Sequence, residues 1–351
     1  MTARSEGSPV RVGFVGTGVM GQMAHLANYA RLGTAVELVA VAEPRRELGA
    51  AVARRYGFAR AYTSADEMLE HEDLDALVAP QPFTRHLQIL GPLYAAGLPI
   101  FSEKPLASST ALGVELLRLL DASPTPFHMV GYHKRSDPAT QRARALIAGL
   151  LSSGEWGALR YARLTIPGGN WAVDAVDDVI FSDEEVPLLG PDGEVDSAFE
   201  TFVNFYSHQT NLLRHLLGES YAVKYADPSG RLMVAETASG VPVALEMEPW
   251  RREQGWEEYV IIGFDRGYIR VDYPAPLAAR KAGKLTLYSE QGDEGELREL
   301  ELPPVHAMLS QARGFVEAVR TRTEPVSEAH DALEDLRIAD EYLAAVRGAR
   351  S

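Results

Sequence analysis

The sequence predicts an α/β protein in two parts. A parallel sheet covered by helices occupies residues 1–130. An α+β domain with an open, mostly antiparallel sheet occupies 131–351. Three observations carry this. The first third alternates short apolar runs with amphipathic stretches, the pattern of successive strand–helix–strand units. Beyond residue 150, strand-like runs follow one another across Gly, Asp and Pro turns with little helix between them. The chain then closes on two helical patterns, about 308–321 and 327–347, the last expected to pack back on the first domain.

In chain order, VRVGFV (10–15) is a buried strand and is followed by a helix from about Met20 to Leu32. ELVAVA (37–42) is the second strand, with a helix through RRELGAAVARRYG. Ser64-x-x-Glu67 is a capping box that opens a short helix. LDALVA (74–79) is the next strand; a helix from about Thr84 to Ala96 follows and stops at Gly97. PIFS (99–102) leads to a helix from about Ser108, and FHMVGY (127–132) is the last strand of this sheet. In the second part, LRYARLTIP, RLMVAETA, VPVALEME, YVIIGF, YIRVDY and KLTLYSE are strands. Between the first two lies NFYSHQTNLLRHLLGE, where Asn204, His208, Asn211 and His215 fall at i, i+4, i+7 and i+11 on one helix face.

Composition narrows the function classes. The 351 residues carry a formal net charge of -15, which repels phosphate backbones and anionic lipid heads and argues against nucleic-acid and membrane-surface partners. No cysteine is present, so disulfides, thiolate metal sites and cysteine nucleophiles are excluded; a reducing cytoplasm suits such a chain. MTARSEGSP at the start is small and polar, the composition of a frayed tail rather than a signal peptide. Nine histidines show no HxxxH or HExxH spacing, so no metal site is expected. From Leu164 to Leu213 there is no Lys or Arg. Asp174, Asp177, Asp178, Asp183, Glu184, Glu185, Asp192, Glu194, Asp196 and Glu200 crowd that interval, as a solvated excursion or as a lid or subunit contact.

Gly16-Thr17-Gly18-Val19-Met20-Gly21 follows the first strand directly and opens a helix. Gly16 permits the tight turn, Gly18 lets the backbone approach a pyrophosphate, and Gly21 lets helix and strand pack closely. Backbone amides and the helix dipole then hold phosphates. An acid, Glu43, ends the second strand 22 residues after Gly21, where a carboxylate binds ribose hydroxyls and repels a 2′-phosphate. NAD is the expected cofactor, with NADP left open by Arg45 and Arg46.

Phe101-Ser102-Glu103-Lys104-Pro105-Leu106 carries a charged pair out of the sheet at its carboxyl end, where ligands of open α/β sheets bind. With GTGVMG, AEP, DLDALVAPQPFTRH, AAGLPIFSEKPLA, GYHKRSDP and WGALRYARL in order, the chain resembles the Gfo/Idh/MocA family of nicotinamide-dependent oxidoreductases along nearly its whole length. The resemblance implies a Rossmann domain followed by an open sheet that serves as the interface of a homodimer or homotetramer. It implies a carbohydrate-like substrate. It makes Glu103 and Lys104 part of the cofactor site, with Lys104 stabilising the reacting oxygen. Pro80, Gln81 and Pro82 match the family loop along the nicotinamide ribose, and His86 a frequent histidine beside it. Tyr132, His133 and Arg135 fall in a GYNxR-like stretch where His133 replaces the usual Asn. The family helix pattern Asp-x-x-x-His-x-x-Asp reads Asn204-x-x-x-His208-x-x-Asn211 here. His208 is thereby the candidate acid/base, since an imidazole titrates near neutrality. Asn204, Asn211, His133 and Trp171 are candidate substrate contacts, and His215 a packing residue.

The primary expectation is an NAD(P)-dependent dehydrogenase or reductase acting on CH–OH groups of a sugar, polyol or related derivative. Both family aspartates are asparagines, and this motivates two alternatives: a dinucleotide- and sugar-binding sensor without turnover, and an NAD-dependent glycoside-cleaving relative.

Overall fold

A computed structural model describes residues 8–172, 179–186, 189–194, 196–252, 255–278, 281–291 and 294–350. Two compact units result. The first gathers Met1–Gly131, Val176–Asp196 and Gln311–Leu333; the second gathers Tyr132–Ala175, Ser197–Ser310 and Glu334–Ser351. The chain therefore returns twice to its first unit.

In the first unit, β1 (Val10–Val15) enters the glycine turn. The following helical stretch is wound unevenly. Gly21–Leu26 forms wide π-type turns, α1 (Ala27–Tyr29) is one regular turn, and Ala30–Ala35 tightens until Gly33, at φ 58°, ends it. The single regular helix expected from Met20 to Leu32 is thus replaced by three short windings. Next come β2 (Val36–Ala42), α2 (Arg46–Tyr56), β3 (Arg60–Tyr62) and α3 (Ala65–His71). The Ser64 side chain caps α3 by accepting from the Glu67 amide, as its motif predicts. β4 (Ala76–Ala79), α4 (His86–Tyr94), β5 (Ile100–Ser102), α5 (Thr110–Asp121) and β6 (His128–Val130) complete the series. The six strands form one parallel sheet in the order β3-β2-β1-β4-β5-β6. The order reverses at β1, so the carboxyl ends of β1 and β4 flank the crevice where such sheets bind ligands. Phe14 packs edge-on against Tyr29 at 5.3 Å, and Phe315 from late in the chain packs against Phe101 at 5.8 Å.

The second unit opens with α6 (Pro138–Ser153), capped by the Asp137 carboxylate on the Ala139 amide at 2.8 Å, with Pro138 at the first helical position. β7 (Leu159–Gly168) and α7 (Ser197–Leu217) follow. Then come β8 (Tyr221–Ala226), β9 (Leu232–Thr237), β10 (Pro242–Arg251), β11 (Tyr259–Phe264), β12 (Gly267–Asp272), β13 (Lys284–Gln291) and β14 (Glu294–Glu299). They make an eight-stranded sheet in the order β14-β13-β12-β11-β7-β10-β9-β8. Only β7 and β10 pair in parallel among the described residues. Alternate residues of β11 are buried, as expected of a sheet packed on one face. α8 (Ala307–Thr321) and α9 (Ala329–Arg350) end the chain. No helix among the described residues is long and apolar enough to cross a membrane.

Candidate functional site

The glycine turn is built as its spacing demands. Gly16 has φ 91°, and its amide donates to the Ala42 carbonyl at 2.8 Å, tying the turn to β2. A side chain at Gly21 would lie 3.1 Å from Pro80 Cγ and 3.3 Å from the Gly16 carbonyl oxygen, so it would press against both the turn and the Pro80 loop, and glycine lets them pack closely. At Gly18 nothing lies within 4 Å of where a Cβ would stand. That open face is what close approach of a pyrophosphate requires, so the turn fits a dinucleotide. Thr17 is fully buried, Val19 exposed and Met20 half-buried.

Glu43 ends β2 almost wholly buried. Its carboxylate accepts from the Thr17 amide at 2.9 Å and hydroxyl at 3.0 Å, and from Arg45 Nε at 2.7 Å. Burial alone raises its pKa, but the Arg45 and Thr17 hydrogen bonds outweigh it and hold the carboxyl below the usual range. The Pro80-Gln81-Pro82 loop runs from buried to exposed. The Gln81 amide donates to the Val15 carbonyl at 2.6 Å, laying its side chain across the turn at Gly16.

His86 does not stand where a cofactor contact would. It is fully buried, with Nδ1 at 2.9 Å from the Leu106 carbonyl oxygen and Nε2 at 3.1 Å from that of Gln81. Both ring nitrogens are engaged by backbone, so His86 braces the loop from beneath. Glu103 has the more telling partner: its Oε1 accepts from His25 Nε2 at 2.5 Å, and its Oε2 from the Lys104 amide at 3.0 Å. Burial raises the Glu103 pKa, but the His25 hydrogen bond, aided by the charges of His25 and Lys104, brings it below its usual value. The helix that leaves the glycine turn is thereby fastened to the residue before Lys104, which is itself half-buried.

The acidic segment is bound within the same unit. Gln22 Oε1 accepts from the Ile180 amide at 2.9 Å, and Gln22 Nε2 donates to the carbonyls of Ile180 and Thr17, each at 2.9 Å. Glu184 accepts from the amides of Glu47 and Leu48, and Asp192 from those of Leu87 and Gln88. α2 and α4 have no cap of their own, so acids from far along the chain serve their N-termini. These two carboxylates are therefore not part of a merely solvated excursion. Asp174, Asp177 and Asp178 lie outside the described residues.

In the second unit the polar face of α7 sinks along its length. Asn204 is exposed, His208 half-buried and Asn211 buried. The His208 ring meets the edge of Tyr132 at 5.8 Å and of His133 at 4.5 Å. Asn211 is not placed as a substrate contact. Its Oδ1 accepts from Arg135 Nε at 2.5 Å, and its Nδ2 donates to Asp335 Oδ2 at 2.7 Å. Both ends of the amide are used inside the protein. Asp335, from α9, also accepts from Arg214 Nε at 3.2 Å. One position before Arg135, Lys134 forms a buried ion pair with Glu258 at 2.7 Å; Gln209 of α7 donates to the same carboxylate at 2.8 Å. Trp171 is 44% exposed, free of the core and tied down through its backbone carbonyl, which accepts from Leu277.

Several of these residues escape sequence reasoning. His25 sits among leucines and alanines after a motif that ends at Gly21. Glu258 and Asp335 each stand second in a pair of adjacent acids, after Glu257 and Glu334, and nothing local singles them out in a strongly acidic chain. Only the folded register marks them. A cation-free run of acids is the one usable signal for Glu184 and Asp192. Among the described residues no group of three or more His, Asp or Glu could hold a metal.

Residues 10–132 match the family model GFO_IDH_MocA, described as an oxidoreductase family with an NAD-binding Rossmann fold. An inositol 2-dehydrogenase of Corynebacterium glutamicum strain R is 24% identical over 290 residues, covering 79% of this chain and 78% of the relative. An inositol 2-dehydrogenase of Leifsonia xyli is 33% identical over 154 residues, 44% of each chain. Levoglucosan dehydrogenase, solved with NADH and levoglucosan, shares the fold with TM-score 0.74 at 18% identity, covering 97% of this chain and 98% of the other. An oxidoreductase from Desulfitobacterium hafniense, described as NADPH-dependent, does so with TM-score 0.77 at 14% identity, covering 98% and 96%.

Proposed function

We propose, for a chain that belongs to the Gfo/Idh/MocA family of NAD-binding oxidoreductases, that it interconverts an alcohol and a carbonyl on a sugar, polyol or related carbohydrate derivative. The observation that carries this reading is the tie between His25 and Glu103. It fastens the Glu-Lys-Pro end of β5 to the helix that leaves the glycine turn, so that Lys104 is held at the carboxyl edge of the dinucleotide-binding sheet. When bound, nicotinamide supplies the hydride acceptor or donor. The chain supplies the rest. Lys104 offers an ammonium to the developing negative charge on the reacting oxygen. His208, edge-on to His133 and Tyr132, moves that oxygen's proton. Asn204 and Trp171, both exposed on the second unit, orient substrate hydroxyls and cover an apolar sugar face. We further propose that the enzyme works in the cytoplasm as a homo-oligomer joined through the outer face of its eight-stranded sheet, where Arg270 stacks over Tyr259 at 4.2 Å.

The test follows NADH absorbance at neutral pH over a panel of inositols, aldoses, ketoses and anhydro sugars. Light scattering on the same preparation reads the oligomer. Wild type is expected to turn over at least one member, and Lys104→Ala and His208→Gln are expected to lose about 100-fold or more in kcat. Turnover that survives Lys104→Ala would sink the role given to that residue. NADH binding with no turnover on any substrate would favour the sensor.

A further inference from the structure

The start of α2 is an anion site already filled by the protein itself. The helix begins two residues beyond Pro44, and Arg45 provides no side-chain cap. Its first amides instead meet Glu184, 137 positions after Glu47 in sequence. The two carboxylate oxygens lie 3.0 and 2.9 Å from the Glu47 nitrogen, and Oε2 lies 3.0 Å from that of Leu48. Ser182 steadies the carboxylate by donating to Oε2 at 3.0 Å. The segment is pinned on either side, by Ile180 on Gln22 and by Asp192 on α4.

The neighbours of this carboxylate give it a role. Glu43 ends β2, the position from which an acid takes a ribose 2′-hydroxyl in sheets of this kind, and its two oxygens here accept from Thr17 and Arg45. Arg45 is drawn onto Glu43 at 2.7 Å. A phosphate added at that 2′ position would extend past Glu43 toward the amides opening α2, which together with a nearby arginine are the groups suited to receive it. Those amides are spent on Glu184 and Arg45 on Glu43, which leaves exposed Arg46 as the neighbouring cation. A 2′-phosphate would have to displace one carboxylate while facing a second.

We propose that Glu184 sets the cofactor preference of this site, excluding a 2′-phosphate by occupying the α2 amides with its own negative charge, so that NAD(H) is taken in preference to NADP(H). The inference rests on the dinucleotide reading of the first unit and is tested by binding rather than turnover, so that the two can fail separately. NADH and NADPH affinities are measured by titration calorimetry on the full chain for wild type, Glu184→Gln and Glu184→Ala. Glu184→Gln keeps an acceptor for the helix amides and guards against loss of folding, which a thermal melt checks. Wild type is expected to prefer NADH. Glu184→Ala is expected to tighten NADPH at least about tenfold while NADH changes less than about threefold, with Glu184→Gln between. An NADPH-to-NADH ratio unmoved in both variants, or a wild type that prefers NADPH, overturns the proposal. A wild type that binds neither overturns the dinucleotide reading, and the proposal with it.

Discussion

Replacing Asp335 by Asn tests whether a buried carboxylate on the last helix holds the second unit together. Asp335 is fully buried, and Arg214 and Asn211 beside it are nearly so. It accepts from Asn211 at 2.7 Å, from Arg214 at 3.2 Å and, more weakly, from Thr210 at 3.4 Å. Through the Asn211 amide it is also joined to Arg135, 2.5 Å beyond. Asp335→Asn keeps the shape and removes the charge. One amide NH2 must then face donors that expect a carboxylate, and two buried guanidinium groups lose the anion they share. Breaking a buried pair in this way costs about 3–5 kcal/mol. At roughly 2–4 °C per kcal/mol, the melting temperature should fall by at least roughly 6 °C. The double variant Asp335→Asn with Asn211→Asp moves the carboxylate one residue along the same chain of hydrogen bonds. The carboxylate now at position 211 would accept from Arg135 and from the new amide, whose oxygen would accept from Arg214. At least about half of the loss should return. Scanning calorimetry on wild type, both singles and the double gives the cycle. A single variant that costs under about 1 kcal/mol, or a double no better than the sum of the singles, would refute the account of this network.

Three further outcomes follow from the first unit. His25→Asn removes the partner of Glu103; it should lower kcat about tenfold with NADH affinity within about threefold, read by steady-state kinetics beside a binding titration. Phe315→Ala empties a fully buried ring that touches Phe101 and Phe127, and should cost about 3–5 kcal/mol in a urea melt. Burial pushes the His128 pKa down to about 3, so the unfolded chain takes up a proton that the folded chain refuses as pH falls below 6.5. Stability should therefore decline with falling pH by about 1.4 kcal/mol per unit between those values, His86 acting in the same direction. His128→Asn should flatten that slope, and an unchanged slope would remove His128 as its source.

Where apolar period and turn chemistry agree, the sequence is enough to place an element. β4 carries a continuous apolar run, and β1 and β2 runs broken only by Arg11 and Glu37 near their starts, because both faces of a parallel sheet are covered, and each stands where its run does. β3 and β14 leave no such trace. Arg60–Tyr62 is a three-residue edge, and all of Glu294–Glu299 is exposed, so neither has a buried face to impose an alternation. α6 is hidden for another reason: its Asp-Pro start reads as a turn until Asp137 is seen accepting from the Ala139 amide. The uneven winding after Gly21 has no signature in composition. There Gln22 and His25 are held by Ile180 and Glu103, partners that no local window contains.

The site divides along the same line. Its dinucleotide half is legible because backbone geometry dictates the glycines, and geometry of that kind recurs at fixed spacing. Its other half depends on where charges meet, and a charge can be supplied from any part of the chain. Asn211 shows the consequence. Read alone, an asparagine in an aspartate's place looks like a lost function. In the fold, Asp335 delivers a carboxylate to that same amide, and Arg135 still has an oxygen to donate to. The negative charge sits one residue further from Arg135, with the amide between them. Asn204 is placed differently, exposed at the open end of the same helix face. The two asparagines therefore differ in kind. Asn211 is a strut whose charge moved behind it, and Asn204 faces outward, where an uncharged group suits the hydroxyls of a neutral carbohydrate better than it suits an ammonium.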